Sequence, residues 1–466
     1  MPRHYRFDHV LLPQGWRRDV GVTVTDAGLI GAIDAVPAAA AARIAGLVVP
    51  GMPNAHSHAF QRAMAGRTEY RASARDSFWT WRQAMYALAN RIEPEELQVV
   101  ATQLFIEMLK VGYTSVAEFH YLHRRTDAAA YSGSNPLWDA VRGAARTAGI
   151  GLTLLPTLYQ TGDFGGEPLT AAQARFALTT DEFLRAIEAR VAADRNDACA
   201  ALRTGAAFHS LRAVPFETVR DAARCLTQID PTLPVHIHVA EQLAEVEACK
   251  RATGRRPIEL LLAAGLPNEH WCLVHCTHAR PEELLGIAAS GATVCVSIST
   301  EANLGDGLFD TVRFLNAGGR LCIGSDSQAT VDPAEELRWM EYQQRLRRKR
   351  RSVLASKTEA HVGTQLWLDA ACHGAQALGQ PIGKLEVGRR ADWIVLDPGH
   401  PALAGADVDS ALDHLIFAGG DAAIRDCVVA GRWVVQDRVH AEEAASRERF
   451  SHLMRELQAA GTHRSG

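Results

Sequence analysis

One stretch decides the fold of this chain, and it runs Leu47-Val48-Val49-Pro50-Gly51-Met52-Pro53-Asn54-Ala55-His56-Ser57-His58. Its apolar start, residues 47–50, predicts a short buried strand that ends at Gly and Pro. Residues two apart point to the same side of an extended backbone, so His56 and His58 can close on one metal ion. A bare His-x-His pair also fits two ordinary polar loop residues. The rest of the chain must therefore supply further ligands.

The composition is that of a large globular protein. Its 466 residues are 47% hydrophobic and 22% charged, which is enough for a sizeable core. The net charge of -4 argues against a nucleic-acid surface, and we interpret the basic residues 345–351 as a solvated helix end. The nine Cys form no Cys-x-x-Cys pair, and no signal peptide or membrane segment is evident. We expect a soluble cytoplasmic protein without nucleic-acid or membrane partners.

From residue 47 onward, apolar strand-like runs alternate with amphipathic helix-like segments. Eight such runs cover residues 47–50, 115–119, 151–157, 206–210, 234–239, 271–274, 293–298 and 321–323. This β-α alternation over ~280 residues predicts an α/β protein with a (β/α)₈ TIM-like barrel. A doubly wound sheet is the competing architecture. It ranks second because no Gly-x-Gly-x-x-Gly follows any of the strands.

The sequence pattern at both ends of the chain differs from the β-α alternation of the middle. Short strands separated by turns fill residues 5–45 and return after residue 383. We expect the two ends to form one small β-sandwich domain beside the barrel. The predicted division is 1–46 and 381–440 for the β-domain, 47–380 for the barrel, and 441–466 for a charged helical tail.

Further polar residues follow the predicted barrel strands. The fifth strand carries His236, His238 and Glu241, the sixth ends at His275, and the eighth is followed by Asp326. The carboxyl ends of barrel strands converge on one mouth, where active sites lie. Nitrogen and carboxylate ligands without thiolate suit Zn²⁺ or another divalent first-row metal. Spacing alone leaves His236 and His238 open as the ligand from the fifth strand.

A catalytic metal site needs more than its ligands. The metal keeps an open position for water and lowers the pKa of that water. A base must then take the water proton and return it to the leaving group. Glu241 is placed for this task.

At this point the chain resembles the amidohydrolase superfamily. The match rests on the His-x-His pair, the ligands of strands five, six and eight, and residues 383–392. The resemblance implies one metal ion and the following roles: His56, His58, His238 and Asp326 as metal ligands, and Glu241, His275 and Asp326 as catalytic residues. It favours His238 because the Glu three residues later belongs with it in the mononuclear deaminase branch. No Lys lies between Lys110 and Lys250, so strand four offers no bridge to a second metal.

Within that branch the chain is similar to the members that hydrolyse N-formimidoyl-L-glutamate. The matching stretches are residues 58–62, 78–82, 119–121, 209–212 and 300–307. The resemblance implies hydrolytic deimination to N-formyl-L-glutamate and ammonia in histidine degradation, by a homodimer.

Such a substrate carries two carboxylates, which call for arginine forks and neutral donors. Arg82 and Arg212, expected in loops or strand ends near the mouth, could clamp them. The other expected substrate contacts are Gln61, Tyr121, His209 and His275. The alternative is a deaminase acting on a purine, pterin or triazine ring, whose pocket would be aromatic and need no Arg pair. A non-catalytic family member would be expected to have lost ligands.

Overall fold

The structure, a computed structural model, describes residues 2–34, 41–69, 78–195 and 201–462. The chain starts with four strands: β1 (Arg3–Leu12), β2 (Gly15–Val24), β3 (Ile30–Ile33) and β4 (Ala42–Pro50). β1 pairs antiparallel with β2 and parallel with β4. These strands form one half of a sheet that the other end of the chain completes.

A second sheet of parallel strands follows. Its members are β5 (Met52–Ser57), β6 (Tyr113–His120), β7 (Gly151–Leu158), β8 (Leu202–Thr204), β9 (Ala206–Phe208), β10 (Val235–Val239), β11 (Trp271–His275), β12 (Thr293–Val296) and β13 (Arg320–Ile323). The order is β5-β6-β7-β9-β10-β11-β12-β13, and β8 pairs only with β7. The barrel closes where the main-chain N–H groups of Ser325 and Asp326 both donate to the His56 carbonyl at 3.0 Å. The predicted (β/α)₈ barrel is confirmed.

Helices between and after the strands form the outer layer. They are α1 (Phe78–Ala89), α2 (Pro94–Lys110), α3 (Pro136–Ala148), α4 (Thr180–Arg195), α5 (Phe216–Ile229), α6 (Leu243–Thr253), α7 (Pro257–Ala263), α8 (Pro281–Ser290), α9 (Ile298–Leu304), α10 (Thr311–Asn316), α11 (Pro333–Arg348) and α12 (Val362–Leu378). Two 3₁₀ helices cover Ala59–Met64 and Ala171–Phe176. Within the described ranges, no helix is both long and apolar enough to cross a membrane.

The local sequence explains how these helices begin and end. In α3 the Asn135 side chain accepts a hydrogen bond from the Leu137 N–H, and Pro136 occupies the first turn, where its missing N–H costs nothing. The helix stops at Gly149, whose φ of 78° is left-handed. Such sharp limits let each helix return the chain to the start of the next barrel strand.

The last part of the chain completes the first sheet. It contains β14 (Trp393–Leu396), α13 (Ala411–His414), β15 (Ile424–Val429), β16 (Arg432–Gln436), β17 (Val439–His440) and α14 (Glu443–Thr462), with a π-helix at Leu415–Gly419 and 3₁₀ turns at Pro401–Leu403 and Gly420–Ala423. The strand order is β17-β16-β15-β14-β4-β1-β2-β3, so β14 joins the two chain ends. One face of this sheet encloses a second hydrophobic core. The prediction that both ends build one β-domain is confirmed.

The prediction for residues 47–50 as the first barrel strand is wrong. These residues belong to β4 of the β-domain, and the first barrel strand is β5, which contains the residues up to Ser57. The error has a physical cause, because the run is buried on both faces. Leu47 and Val49 pack into the large core that includes the barrel, whereas Val48 packs into the second core. A continuous apolar run therefore does not mark a barrel strand here.

Candidate metal centre and active site

Four predicted metal ligands meet at the mouth of the barrel. His56 lies on β5, His58 follows it, His238 lies on β10, and Asp326 follows β13. Their ligand atoms all lie within 4.8 Å of one another, and all four residues are buried. The Nε2 atom of His56 is 3.2 Å from that of His58 and 3.0 Å from that of His238. The Asp326 Oδ1 atom lies 3.5 Å from His56 Nε2 and 3.4 Å from His58 Nε2.

The hydrogen bonds of these imidazoles test whether a metal ion fits. His58 Nδ1 donates to the Phe119 carbonyl at 2.8 Å, and His238 Nδ1 donates to the His209 carbonyl at 2.9 Å. Burial lowers the pKa of His58 to about 3 and that of His238 well below its ordinary value, so both rings are neutral. Their Nε2 lone pairs then point toward the centre of the cluster. Lone pairs this close repel unless a cation lies between them, so the cluster fits a divalent metal.

The structure distinguishes the two histidines that spacing left open. His236 is buried on the same strand, but its Nε2 atom donates to the Ala377 carbonyl at 2.8 Å. The ring is therefore held by α12, the helix that contains Ala377. His238, and not His236, joins the cluster.

The predicted catalytic residues lie beside the metal ligands. His275 Nε2 is 3.7 Å from Glu241 Oε1 and 3.7 Å from Asp326 Oδ2. Burial raises the pKa of Glu241 to about 7. Burial alone would lower the pKa of His275, but the carboxylates of Glu241, Glu301 and Asp326 raise it to about 10. Together, Glu241 and His275 can hold and transfer a proton near neutral pH.

The backbone at these strand ends is strained. Ala240, His275 and Asp326 adopt left-handed φ values of 53°, 70° and 46°, which residues with a side chain rarely adopt. Each costs about 1 to 3 kcal/mol and persists only where the surrounding fold enforces it. Here the barrel closure enforces it at Asp326, whose N–H donates to the His56 carbonyl.

A pocket opens from the metal cluster toward solvent. It is lined by residues of several connecting segments: Gln61, Trp81, Arg82, Met85, Tyr86, Tyr121, Tyr159, Phe176, His209, Arg212, Thr300, Leu304 and Ser327, together with His58, His238, Glu241, His275 and Asp326. All predicted substrate-binding residues are among them. Gln61 Nε2 donates to the Tyr121 hydroxyl at 2.8 Å. Burial lowers the pKa of His209 well below its ordinary value, so this ring is neutral.

The two predicted arginine clamps share this pocket. Arg212 lies in the turn after β9, and its side chain is buried and forms no ion pair with any described residue. Arg82 was expected in a loop or strand end, but it lies on helix α1, because residues 78–89 contain neither Gly nor Pro. Burial and the neighbouring Arg212 lower the pKa of Arg82. Two guanidinium groups therefore line the same pocket and interact electrostatically with each other.

Sequence reasoning missed three residues of the site. Glu301 Oε1 lies 3.3 Å from His275 Nδ1 and accepts a hydrogen bond from the Ser297 N–H at 3.1 Å. Tyr159 and Tyr86 line the pocket beside the arginines. The position of Tyr159 directly after β7 was a usable signal, since strand ends form the mouth. Tyr86 lies on a helix, where only the fold reveals its direction.

Comparison with known proteins agrees with this geometry. Residues 47–434 match the Amidohydrolase family. A formimidoylglutamate deiminase of Pseudomonas aeruginosa is 48% identical over 97% of this chain and 98% of its own length. The crystal structure of an amidohydrolase from Brucella melitensis has a TM-score of 0.91 at 39% identity, covering 98% of this chain and 100% of that one. An adenosine deaminase from Xanthomonas campestris with bound zinc shares the fold, with a TM-score of 0.80 at 21% identity and 98% coverage of both chains. The chain therefore belongs to the amidohydrolase family.

Proposed function

We propose that the protein hydrolyses N-formimidoyl-L-glutamate to N-formyl-L-glutamate and ammonia. The observation that carries this proposal is the pair of guanidinium groups, Arg82 and Arg212, in the pocket of the metal cluster. Two fixed positive charges match a small substrate with two carboxylates. The full-length similarity to the P. aeruginosa formimidoylglutamate deiminase supports the same substrate. A purine, pterin or triazine ring carries no pair of carboxylates for these guanidinium groups to bind.

The reaction adds water to the formimino carbon and breaks the bond to its imino nitrogen. A divalent ion held by His56, His58, His238 and Asp326 would lower the pKa of the attacking water and polarise the substrate. Glu241, with its pKa raised to about 7, takes a proton from the water and returns it to the departing nitrogen. Ammonia leaves and a formyl carbonyl remains.

His275 holds the water and the formimino group in line with Glu241. Its Nε2 atom lies 3.7 Å from carboxylate oxygens of both Glu241 and Asp326. Its other ring nitrogen faces Glu301, which is itself fixed by a main-chain N–H. The contact with Glu301 therefore orients the His275 ring so that its Nε2–H points into the pocket.

The arginines and neutral donors hold the glutamate part of the substrate. Arg82 and Arg212 bind the carboxylates, and Gln61, Tyr121 and His209 surround the chain between them. Because the pocket is largely buried, each charge-assisted bond is stronger than it would be in water.

The proposal extends to the metal, the oligomeric state, the cellular location and the domain limits. Zinc is the proposed metal, since the donor set suits it and the X. campestris structure carries zinc. We further predict a homodimer, a cytoplasmic location and a place in histidine breakdown. The predicted domain limits lie near residues 46, 380 and 440.

Product analysis tests the proposed reaction. The metal-loaded protein is incubated with formimidoylglutamate in water enriched in ¹⁸O. We expect ammonia and N-formylglutamate in equal amounts, with one ¹⁸O in the formyl group. Formation of formamide and glutamate would show cleavage of the other C–N bond and would reject the deiminase proposal. A matched incubation with Glu241→Gln gives the background.

A further inference from the structure

The Gln173 side chain is fixed in one orientation. It lies on the 3₁₀ helix Ala171–Phe176 and is buried. The N–H and the hydroxyl of Thr170 both donate to Gln173 Oε1, at 3.0 Å and 2.8 Å. A main-chain N–H can only donate, so the atom facing Thr170 must be the amide oxygen. The amide NH₂ group therefore points the other way.

That NH₂ group faces the tyrosines of the pocket. Gln173 Nε2 donates to the Tyr159 hydroxyl at 2.9 Å and lies 3.4 Å from the Tyr86 hydroxyl. The Tyr159 oxygen thus accepts a hydrogen bond and must send its own proton elsewhere. Among the described residues, the structure shows a hydrogen bond that this hydroxyl accepts and none that it donates. Burial raises the pKa of Tyr159, so the hydroxyl keeps this proton.

The Tyr159 hydroxyl shares its pocket with the two arginines. Tyr159, Arg82 and Arg212 line the same pocket, and Tyr159 is only 2% exposed. A buried hydroxyl without an acceptor costs free energy, which an acceptor on the ligand would offset. A substrate carboxylate in this pocket could accept hydrogen bonds from the Tyr159 hydroxyl and from the guanidinium groups.

We propose that Tyr159, oriented by Gln173, donates its hydroxyl proton to a substrate carboxylate and so helps to select dicarboxylate substrates. Tyr159 is then a specificity-determining residue, and Gln173 is a positioning residue that acts through it. This inference rests on the proposed function for the identity of the substrate.

The substitution Tyr159→Phe removes only the hydroxyl. Because the carboxylate contact exists before and during the reaction, KM should rise while kcat changes little. Hydrogen bonds to charged groups imply a loss of about tenfold or more in kcat/KM for formimidoylglutamate. Tyr113→Phe is the matched control, since its buried hydroxyl at the start of β6 lies outside the pocket, and it should leave both constants unchanged. An unchanged KM in Tyr159→Phe overturns the proposal.

Binding of glutarate separates this inference from the proposed function. Glutarate has two carboxylates and no formimino group, so its titration by calorimetry requires no turnover. Wild type should bind it, and Tyr159→Phe should bind it about tenfold more weakly at equal metal content. Equal affinities, or no binding to wild type, overturn the inference. Absence of ammonia release from formimidoylglutamate by wild type rejects the proposed function instead.

Gln173→Glu reverses the polarity of the positioning contact. The new carboxylate keeps the bonds from Thr170 but accepts the Tyr159 proton, which is then lost to the pocket. We expect a rise in KM similar to that of Tyr159→Phe, and little further rise in the double variant. A purely structural role predicts that the two effects multiply, which would overturn the assignment of Gln173.

Discussion

The metal centre and the carboxylate pocket lie side by side but are built from different parts of the chain. The candidate metal ligands come from the ends of β5, β10 and β13, and main-chain carbonyls hold two of the three imidazoles. Most of the pocket comes from connecting segments: α1, the 3₁₀ helix Ala171–Phe176 and the turn that carries Arg212. We therefore expect the ends of the barrel strands to carry the bond-breaking chemistry and the segments between the strands to select the substrate.

The comparison predicts two separable classes of variant. Changes at the metal centre should alter metal content or kcat. Changes in the pocket should alter KM and leave the metal in place. The following predictions test this separation, from the largest expected effect to the smallest.

The largest effect is expected for His238→Ala, which removes a proposed metal ligand. Loss of residues that merely support ligands costs 10- to 100-fold in metal affinity, so loss of the ligand itself should exceed about 100-fold and abolish turnover. His236→Gln, two residues away on the same strand, is the matched control because a Gln can still donate to the Ala377 carbonyl. Metal analysis after dialysis measures the outcome. Metal loss in His236→Gln with retention in His238→Ala would reverse the assignment.

The next effect is expected for Glu241→Gln. The amide is nearly isosteric but cannot shuttle a proton, so kcat should fall by ~10²- to 10⁴-fold. Metal content should stay at one equivalent, since Glu241 is outside the group of ligands. Steady-state ammonia release and metal analysis of the same sample provide the measurement. Near-normal turnover would show that Glu241 is not the base.

A smaller effect is expected for the arginines. Arg212→Ala or Arg82→Ala leaves a substrate carboxylate without its charged partner, so kcat/KM should fall by at least about tenfold with unchanged metal content. Arg→Lys should restore only part, because an ammonium lacks the planar fork. A formimino compound with one carboxylate should be poor on wild type and lose little further on the matching variant. If both alanine variants process formimidoylglutamate normally, the dicarboxylate assignment fails.

The smallest effect is expected for the pH dependence of the free energy of unfolding, through the buried carboxyl of Glu118. Glu118 accepts hydrogen bonds from the Ser57 hydroxyl and the Ala59 N–H, on either side of His58. Burial raises the pKa of Glu118 from 4.5 to about 8, so the folded protein binds one proton more than the unfolded chain between these values. The free energy of unfolding should therefore decrease as the pH rises through this window.

In Glu118→Gln this decrease should be shallower. Urea unfolding of metal-free protein at several pH values between about 5 and 8 measures it. Glu247→Gln, on the surface of α6, is the control and should follow wild type. Parallel curves for Glu118→Gln and wild type would show that this carboxyl is ionised in the folded protein.

The ease of prediction differed between the two regions for physical reasons. A strand has a period of two, and barrel strands end at a common mouth, so His56, His58, His238 and Asp326 could be placed together from spacing and a family resemblance. Connecting segments have no such period. The sequence alone placed Arg82 in a loop, although it lies on α1, and gave no direction for Tyr86.

The wrong assignment of residues 47–50 to the barrel arose because this segment is buried on both of its faces. Residues 47–50 face two cores, and this produces the continuous apolar pattern of a barrel strand. Glu301 was overlooked because its partner, His275, is distant in the sequence and meets it only after the barrel closes.

The most direct test of the account is the specificity of the metal-loaded enzyme. Ammonia release is measured with formimidoylglutamate, formimidoylaspartate, guanine, adenosine and cytosine under identical conditions. If the metal centre and the paired arginines act together, kcat/KM should be highest for formimidoylglutamate, with the three ring compounds at background. A ring compound that is processed faster than formimidoylglutamate would contradict the account.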